Sequence, residues 1–173
     1  PFYDFQDLSF FKNLQSLILE DMQFVTHPIF IHSCPTLQTL HLARGKSKHI
    51  HLMLPELKQL KIDAFDELTE LKIADSAYLE NIELENITYS GTSGEETLTL
   101  GLAKTKIKVL KFSNCILEKV ILTSQMSNIE EQILFYQCIV DVALINMCLT
   151  TGAAQSKNLV LQNSQVRGLE DQA

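Results

Sequence analysis

His49-Ile50-His51 is the most chemically suggestive triplet in this chain. In a strand, side chains two residues apart share a face, so both imidazoles would stand together as a metal site requires. His32-Ser33-Cys34 offers a second, thinner pair of donors. A structural zinc ion takes four ligands in paired clusters, and no Cys-x-x-Cys supplies the rest. These histidines therefore read as surface or hydrogen-bonded residues, and neither a metal nor a cofactor is expected. No G-x-G-x-x-G or G-x-x-x-x-G-K-[ST] occurs, and the loop around Gly91 lacks the lysine a phosphate loop needs. Carboxylates are plentiful, but none is singled out as a general acid paired with a base, so the chain reads as a non-enzyme. Asn86-Ile87-Thr88 is a glycosylation sequon that matters only in a secreted chain.

The elements that would position such residues are set by a recurring phrase of apolar, any, apolar, any, any, then Cys, Ser or an apolar residue. It starts at Leu17, Leu40, Leu60, Ile82, Leu110, Ile133 and Leu159, at intervals of 23, 20, 22, 28, 23 and 26 residues. A repeat of that length is one coil of a solenoid. Alternation within the phrase puts Leu17 and Leu19 inward and Ile18 outward, with the same logic in each coil. Three residues earlier stand Leu14, Leu37, Leu57, Leu79 and Ile107, whereas the last two coils have Glu130 and Ser156 there. The sixth position, Cys115, Cys138 or Ser164 in the last coils, suits an inward turn that must satisfy backbone groups. Two residues on, Phe24, Tyr89, Leu117, Val140 and Val166 are expected to point inward again. The placement of Cys115 and Cys138 in one slot favours buried free thiols, and hence a reducing compartment, over disulfides among the four cysteines.

Each coil also carries a return stretch, with a second alternation at Ile50/Leu52, Leu71/Ile73, Val120/Leu122 and Val142/Leu144. These are short and β-like, so the outer side is expected to be strands, turns or single 3₁₀ turns. A helical outer segment is most plausible in the longer coils, for instance Asn128 to Gln132. The segment Ser90 to Glu96 should bulge outward as a loop.

The full unit matches the residue pattern L-x-x-L-x-L-x-x-[N/C]-x-L, clearest from Leu14 to Phe24 and from Ile107 to Leu117. Over residues 14 to 166 the chain thus resembles the leucine-rich repeat family. The resemblance implies an α/β repeat solenoid, β-rich, of about seven coils of 20–28 residues. A parallel sheet would line the inner face, with short strands and turns outside. Residues 1–13 would be an N-terminal cap or a torn coil, and 14–173 a single repeat domain. Pro1 in place of Met points to processing or to a fragment of a longer receptor. His32-Ser33-Cys34-Pro35-Thr36-Leu37-Gln38-Thr39-Leu40 and the run Leu71 to Leu84 resemble the repeats of plant-type F-box leucine-rich-repeat proteins. In the second run Ala77 and Tyr78 replace the Pro and Asn of that pattern. That resemblance implies substrate binding by the repeats and a ubiquitin-ligase scaffold as partner, provided an F-box lies upstream.

Bulk properties narrow the rest. A net charge of −7 argues against general nucleic-acid binding, and no apolar run approaches the ~18 residues of a membrane span. A cytoplasmic or nuclear location is expected, or a secreted one if a signal peptide has been removed. Asp63 to Glu96 holds ten acids and one base, Lys72, while Lys104 to Lys111 holds four lysines and no acid. Such adjacent blocks could steer a dipolar partner. The face to watch is the inner sheet. One residue per coil should line its centre: Ile18, His41, Lys61, Glu83, Lys111, Leu134 and Val160, with Tyr136 two residues beyond Leu134. Of these, His41, Lys61, Glu83, Lys111, Leu134, Tyr136 and Val160 are the candidate contacts for a protein or peptide ligand. The alternatives are a right-handed β-helix acting on or binding polysaccharide, and a bacterial or parasite surface adhesin built of leucine-rich repeats.

Overall fold

Strict alternation of burial along each phrase drives the architecture. Leu40, Leu42, Leu60, Ile62, Ile82, Leu84, Leu110, Phe112, Ile133 and Phe135 are all buried, while the residues between them reach solvent. The computed structural model describes Leu8 and residues 10–89, 96–102, 105–124, 129–149 and 158–168. The first coil holds β1 (Ser16–Leu19), a 3₁₀ turn (Met22–Phe24) and β2 (Ile29–His32). Next come β3 (Thr39–Ala43) and β4 (His49–Met53), then β5 (Gln59–Asp63) and β6 (Glu70–Ala74). The fourth and fifth coils have three strands each. These are β7 (Asn81–Glu85), β8 (Thr88–Tyr89) and β9 (Glu96–Gly101), then β10 (Ile107–Ser113), β11 (Ile116–Leu117) and β12 (Val120–Ser124). The sixth coil has β13 (Ile129–Tyr136), β14 (Ile139–Asp141) and α1 (Val142–Cys148), and the chain continues with β15 (Asn158–Gln162) and β16 (Gln165–Arg167).

Every strand pairing is parallel, and each strand pairs with its counterpart in the neighbouring coil. Three sheets result: β1-β3-β5-β7-β10-β13-β15, β2-β4-β6-β9-β12 and β8-β11-β14-β16. The molecule is a β-solenoid of about six turns, wrapped around a single apolar column. The described residues hold only one α-helix, so they support the β-rich part of the expected class and not its α/β label. The second sheet is the expected run of short return strands. The third sheet was not anticipated, because its strands are only two or three residues long.

One backbone device turns every coil. Asp21, Arg44, Ala64, Asn86, Asn114, Gln137 and Asn163, each four residues after the start of a phrase, have φ between 51° and 56°. This left-handed conformation favours Asn and Asp, which fill four of the seven corners. From the second coil to the sixth, the corner N–H donates to the next coil's strand end. Arg44 N–H reaches Asp63 O at 2.8 Å, and Gln137 N–H reaches Gln162 O at 2.9 Å.

The residue after each corner turns inward, and its size and chemistry are matched between coils. Phe65 and Gly45 occupy this slot in adjacent coils, and the Phe65 ring fills the space a Gly45 side chain would need. Further along, Cys115 Sγ donates to Leu84 O and Ser113 O, both at 3.3 Å. Cys138 Sγ approaches Phe112 O and Tyr136 O at 3.3 Å, and Ser164 Oγ approaches Phe135 O at 3.0 Å and Gln162 O at 3.1 Å. A small weak donor thus serves the same two carbonyl positions in three successive coils. All four cysteines are buried and free.

Several expectations need correction. Phe24 is 88% exposed, because the first coil leaves its corner in a 3₁₀ turn rather than a strand and loses the two-residue alternation. Val142/Leu144 lies in α1, not in a strand. Asp141 caps that helix, accepting from Ala143 N–H at 3.1 Å, and Leu144 and Cys148, one turn apart, are its buried pair. Ile129–Gln132, expected to be helical, belongs to β13, and Asn128 lies outside the described residues. The missing apolar residue at Glu130 is supplied by Ile129, which pairs with Ile107 through a register shift that absorbs one extra residue. Residues 1–7 and 9 of the proposed cap, Ser156 and residues 90–95 of the expected loop fall outside the described residues, and Glu96 opens β9.

The Gly45–Phe65 match gives a direct test. Gly45→Ala should cost about 1–3 kcal/mol of stability, the usual range for overpacking. The double variant with Phe65→Leu should recover much of that loss, as read by urea unfolding midpoints.

Candidate functional site

The seven-stranded sheet turns three rows of side chains outward. Its register is continuous, with Ile18, His41, Lys61, Glu83, Lys111, Leu134 and Val160 aligned strand by strand. All the candidate residues predicted from the repeat therefore lie on one face. Ala43, Asp63, Glu85, Ser113, Tyr136 and Gln162 form the second row. The third row, from Ser16 through Thr39, Gln59 and Asn81 to Gln132, is mostly neutral amides and hydroxyls. Sequence reasoning did not single it out, although the residues three before each strand's second apolar position already spelled it. Within it Asn81 donates to Gln59 Oε1 at 2.9 Å.

The charged members of the face satisfy one another. Lys61 Nζ lies 2.6 Å from Glu85, and that carboxylate, with Glu83 and Asp63 nearby, holds the lysine above its ordinary pKa. Lys111 Nζ stands 3.4 Å from Glu83, which also accepts from Ser113 Oγ at 2.9 Å. The same ammonium lies 5.4 Å from the centre of the Tyr136 ring, within cation–π range. Glu80 is paired likewise with Lys108, at 3.8 Å. Acids of the Asp63–Glu96 block thus meet lysines that flank it in sequence, through pairing between adjacent coils.

A groove of about 300 Å³ crosses the face at β1, β3, β5 and β7. Ile18, Thr39, His41, Gln59, Lys61 and Glu83 are among its walls. His41 Nε2 is buried without a hydrogen-bond partner. At the far end, Leu134, Tyr136 and Val160 are half-buried and continue the same face as an apolar stretch.

The imidazole pair that opened the chemical reading sits on the second sheet. His49 Nδ1 and His51 Nε2 both lie 3.1 Å from Glu70 Oε2, and Lys72 Nζ lies 3.2 Å from Glu70 Oε1. Among the described residues no group of three or more His, Cys, Asp or Glu is arranged to hold a metal ion. The second donor pair is not assembled either. His32 contacts Ser33 Oγ at 2.6 Å and packs its ring at a tilt against Phe30, while Cys34 is buried.

Comparison with protein-family models, with curated proteins and with solved structures finds no match for this chain.

The His51 hydrogen bond, with help from Lys72 and His49, pulls the Glu70 carboxyl down from its ordinary 4.5 to about 2. A depressed carboxylate contributes stability that is complete above its unfolded value and is lost as pH falls through its folded value. Glu70→Gln should therefore flatten the pH dependence of stability between 4.5 and about 2, as followed by urea unfolding at a series of pH values. An unchanged acid limb would remove the cluster from the stability account.

Proposed function

We propose that this chain is a non-enzymatic recognition module that binds an extended stretch of a protein partner across the outward face of its seven-stranded sheet. The observation that carries this reading is the groove spanning four strands, on the same sheet face as an apolar stretch at its far end. A chain laid across the strands would meet the amide and hydroxyl row on one side and the His41–Lys61–Glu83 row on the other. Because the face's lysines are already paired, affinity would come from hydrogen bonds and from apolar contact at Leu134, Tyr136 and Val160 rather than from long-range steering. Seven strands at the usual spacing give a surface on the order of 30 Å across, enough for a peptide of several residues. The narrower form of this reading is the substrate-binding part of a ubiquitin-ligase receptor. Its support is the resemblance of the stretches beginning at His32 and Leu71 to F-box leucine-rich-repeat proteins.

A second reading, polysaccharide binding, gains from the three-stranded fourth and fifth coils, which are the layout of a β-helix. The row of Ser, Thr, Gln and Asn side chains would supply its hydrogen bonds.

Quantitative affinity capture with the immobilised chain separates the two. The variant Lys61→Ala/Glu83→Ala/Tyr136→Ala should lose a retained protein partner by roughly tenfold or more, the scale of losing an interface hot spot. His49→Ala/His51→Ala, on the other sheet, should retain it. Equal retention by the triple variant would sink the assignment of this face. Binding to a panel of glycans that the triple variant loses, with no protein retained, would favour the second reading.

A further inference from the structure

We propose that His41 is the residue by which the groove selects its partner, and that it takes a side-chain carboxamide, an Asn or Gln of the bound segment. The inference rests on the recognition reading above and names the chemistry that this face accepts.

The starting point is a nitrogen that the fold leaves unused. Among the described residues, His41 Nε2 is the buried side-chain nitrogen or oxygen that has no hydrogen bond. Folded chains pair nearly all such atoms, because a buried polar atom gives up its bond to water and gains nothing unless a partner replaces it. The neighbours explain why this one stays unpaired. In register with His41 stand Ile18 on β1 and Lys61 on β5. Ile18 has no polar side-chain atom, and Lys61 Nζ is turned to Glu85, 2.6 Å away. Along β3, the next residue on the same face is Ala43, which is small, apolar and buried. Thr39, two residues before, is exposed and leaves the nitrogen unpaired too. A polar atom in a wall of the groove, among neighbours that do not serve it, suits a group that the bound segment supplies. The ring turns about its terminal torsion, which is broad and soft, to bring Nε2 round to that segment.

The choice of a carboxamide follows from donors and acceptors. An uncharged imidazole has one donor and one acceptor nitrogen. A carboxamide carries a donor and an acceptor on separate atoms, so it serves either arrangement of the ring and has a second atom to spare. That second atom has a place to go. Gln59, on β5 opposite Thr39, walls the same groove. Its Oε1 accepts from Asn81 at 2.9 Å, and among the described residues its Nε2 donates to none. A ligand amide oxygen accepting from Gln59 Nε2, while the ligand N–H2 meets His41 Nε2, adds one more member to the chain of amides that starts at Asn81. A hydroxyl has a single oxygen and reaches one of the two groups. A carboxylate offers only acceptors and an ammonium only donors.

An array of blocked hexapeptides tests this. One central position holds Asn, Gln, Asp, Lys, Ser or Ala, and the remaining positions vary among uncharged residues. The wild-type chain should retain Asn and Gln peptides over Ala peptides by about tenfold, the scale of one hydrogen bond to an atom that is otherwise buried and unpaired. His41→Leu should retain peptides without that preference. Its urea unfolding midpoint should rise, because it removes an atom that the free chain leaves unpaired. Circular dichroism reports whether the variant is folded, and where it is not, His41→Phe takes its place. Peptides that the wild type retains and the triple variant of Lys61, Glu83 and Tyr136 loses, with no carboxamide preference, would overturn this inference and leave the recognition reading standing. So would a preference that survives in the His41 variant, or one for Ser over Asn and Gln. A midpoint lowered in both His41 variants overturns it as well, since the imidazole then stabilises the free chain. Retention of no peptide, or equal retention by the triple variant, removes the recognition reading and this inference with it.

Discussion

In-register parallel pairing between successive coils is the constraint on which the rest of this structure depends. Each strand is held by its counterpart one coil away, so every side chain acquires two fixed neighbours at the same position in adjacent coils. A slip of one residue would turn each inward row to solvent, so burial of the apolar column enforces the register. The intervals between phrases range from 20 to 28 residues, and the ladder tolerates this because the differences are taken up outside the main strand. Where β13 has one residue too many, a local shift lets Ile129 reach Ile107 and restores the match from Gln132 onward.

The corners make this ladder a closed coil. A left-handed residue in each coil bends the chain, and its N–H joins neighbouring coils at the bend. The residue that follows must fit between its equivalents above and below. One solution is volume: Gly45 yields to Phe65. The other is weak hydrogen bonding, with Cys115, Cys138 and Ser164 donating to paired carbonyls. The two buried thiols differ as a consequence. The neighbouring Cys138, with burial, pushes the Cys115 thiol up, while Cys115 acts on Cys138 in the opposite direction. Both are held for their size and donor capacity, and neither faces the outward surface.

The same pairing governs the surface. Charges that are segregated along the chain become neighbours across coils, so an acidic block and flanking lysines cancel on the face they share. Beside these pairs the same face carries a row of amides and hydroxyls and a half-buried apolar stretch at Leu134, Tyr136 and Val160. On the second sheet one carboxylate, Glu70, gathers two imidazoles and an ammonium, so the triplet that suggests metal chemistry in sequence is occupied by an internal partner.

The sequence by itself determined the solenoid, the inward alternation, the register of the central row and the slot of Cys115 and Cys138. All of these follow from a repeat in one dimension, because neighbours in a solenoid are neighbours in the repeat. The return strands at Ile50, Leu71 and Val120 were legible for the same reason. Only the tertiary structure decided what lies between coils. It set the left-handed corners at Arg44, Ala64 and Gln137, whose residue types do not announce them, and the short third sheet, too brief to leave a period. It also decided the exposure of Phe24 and the helix at Val142, where a cap and a 3.6-residue period overrode an apparent alternation. Which charges would meet was hidden as well, since a pair such as Lys61 and Glu85 is separated by a whole coil in sequence and joined only by the ladder.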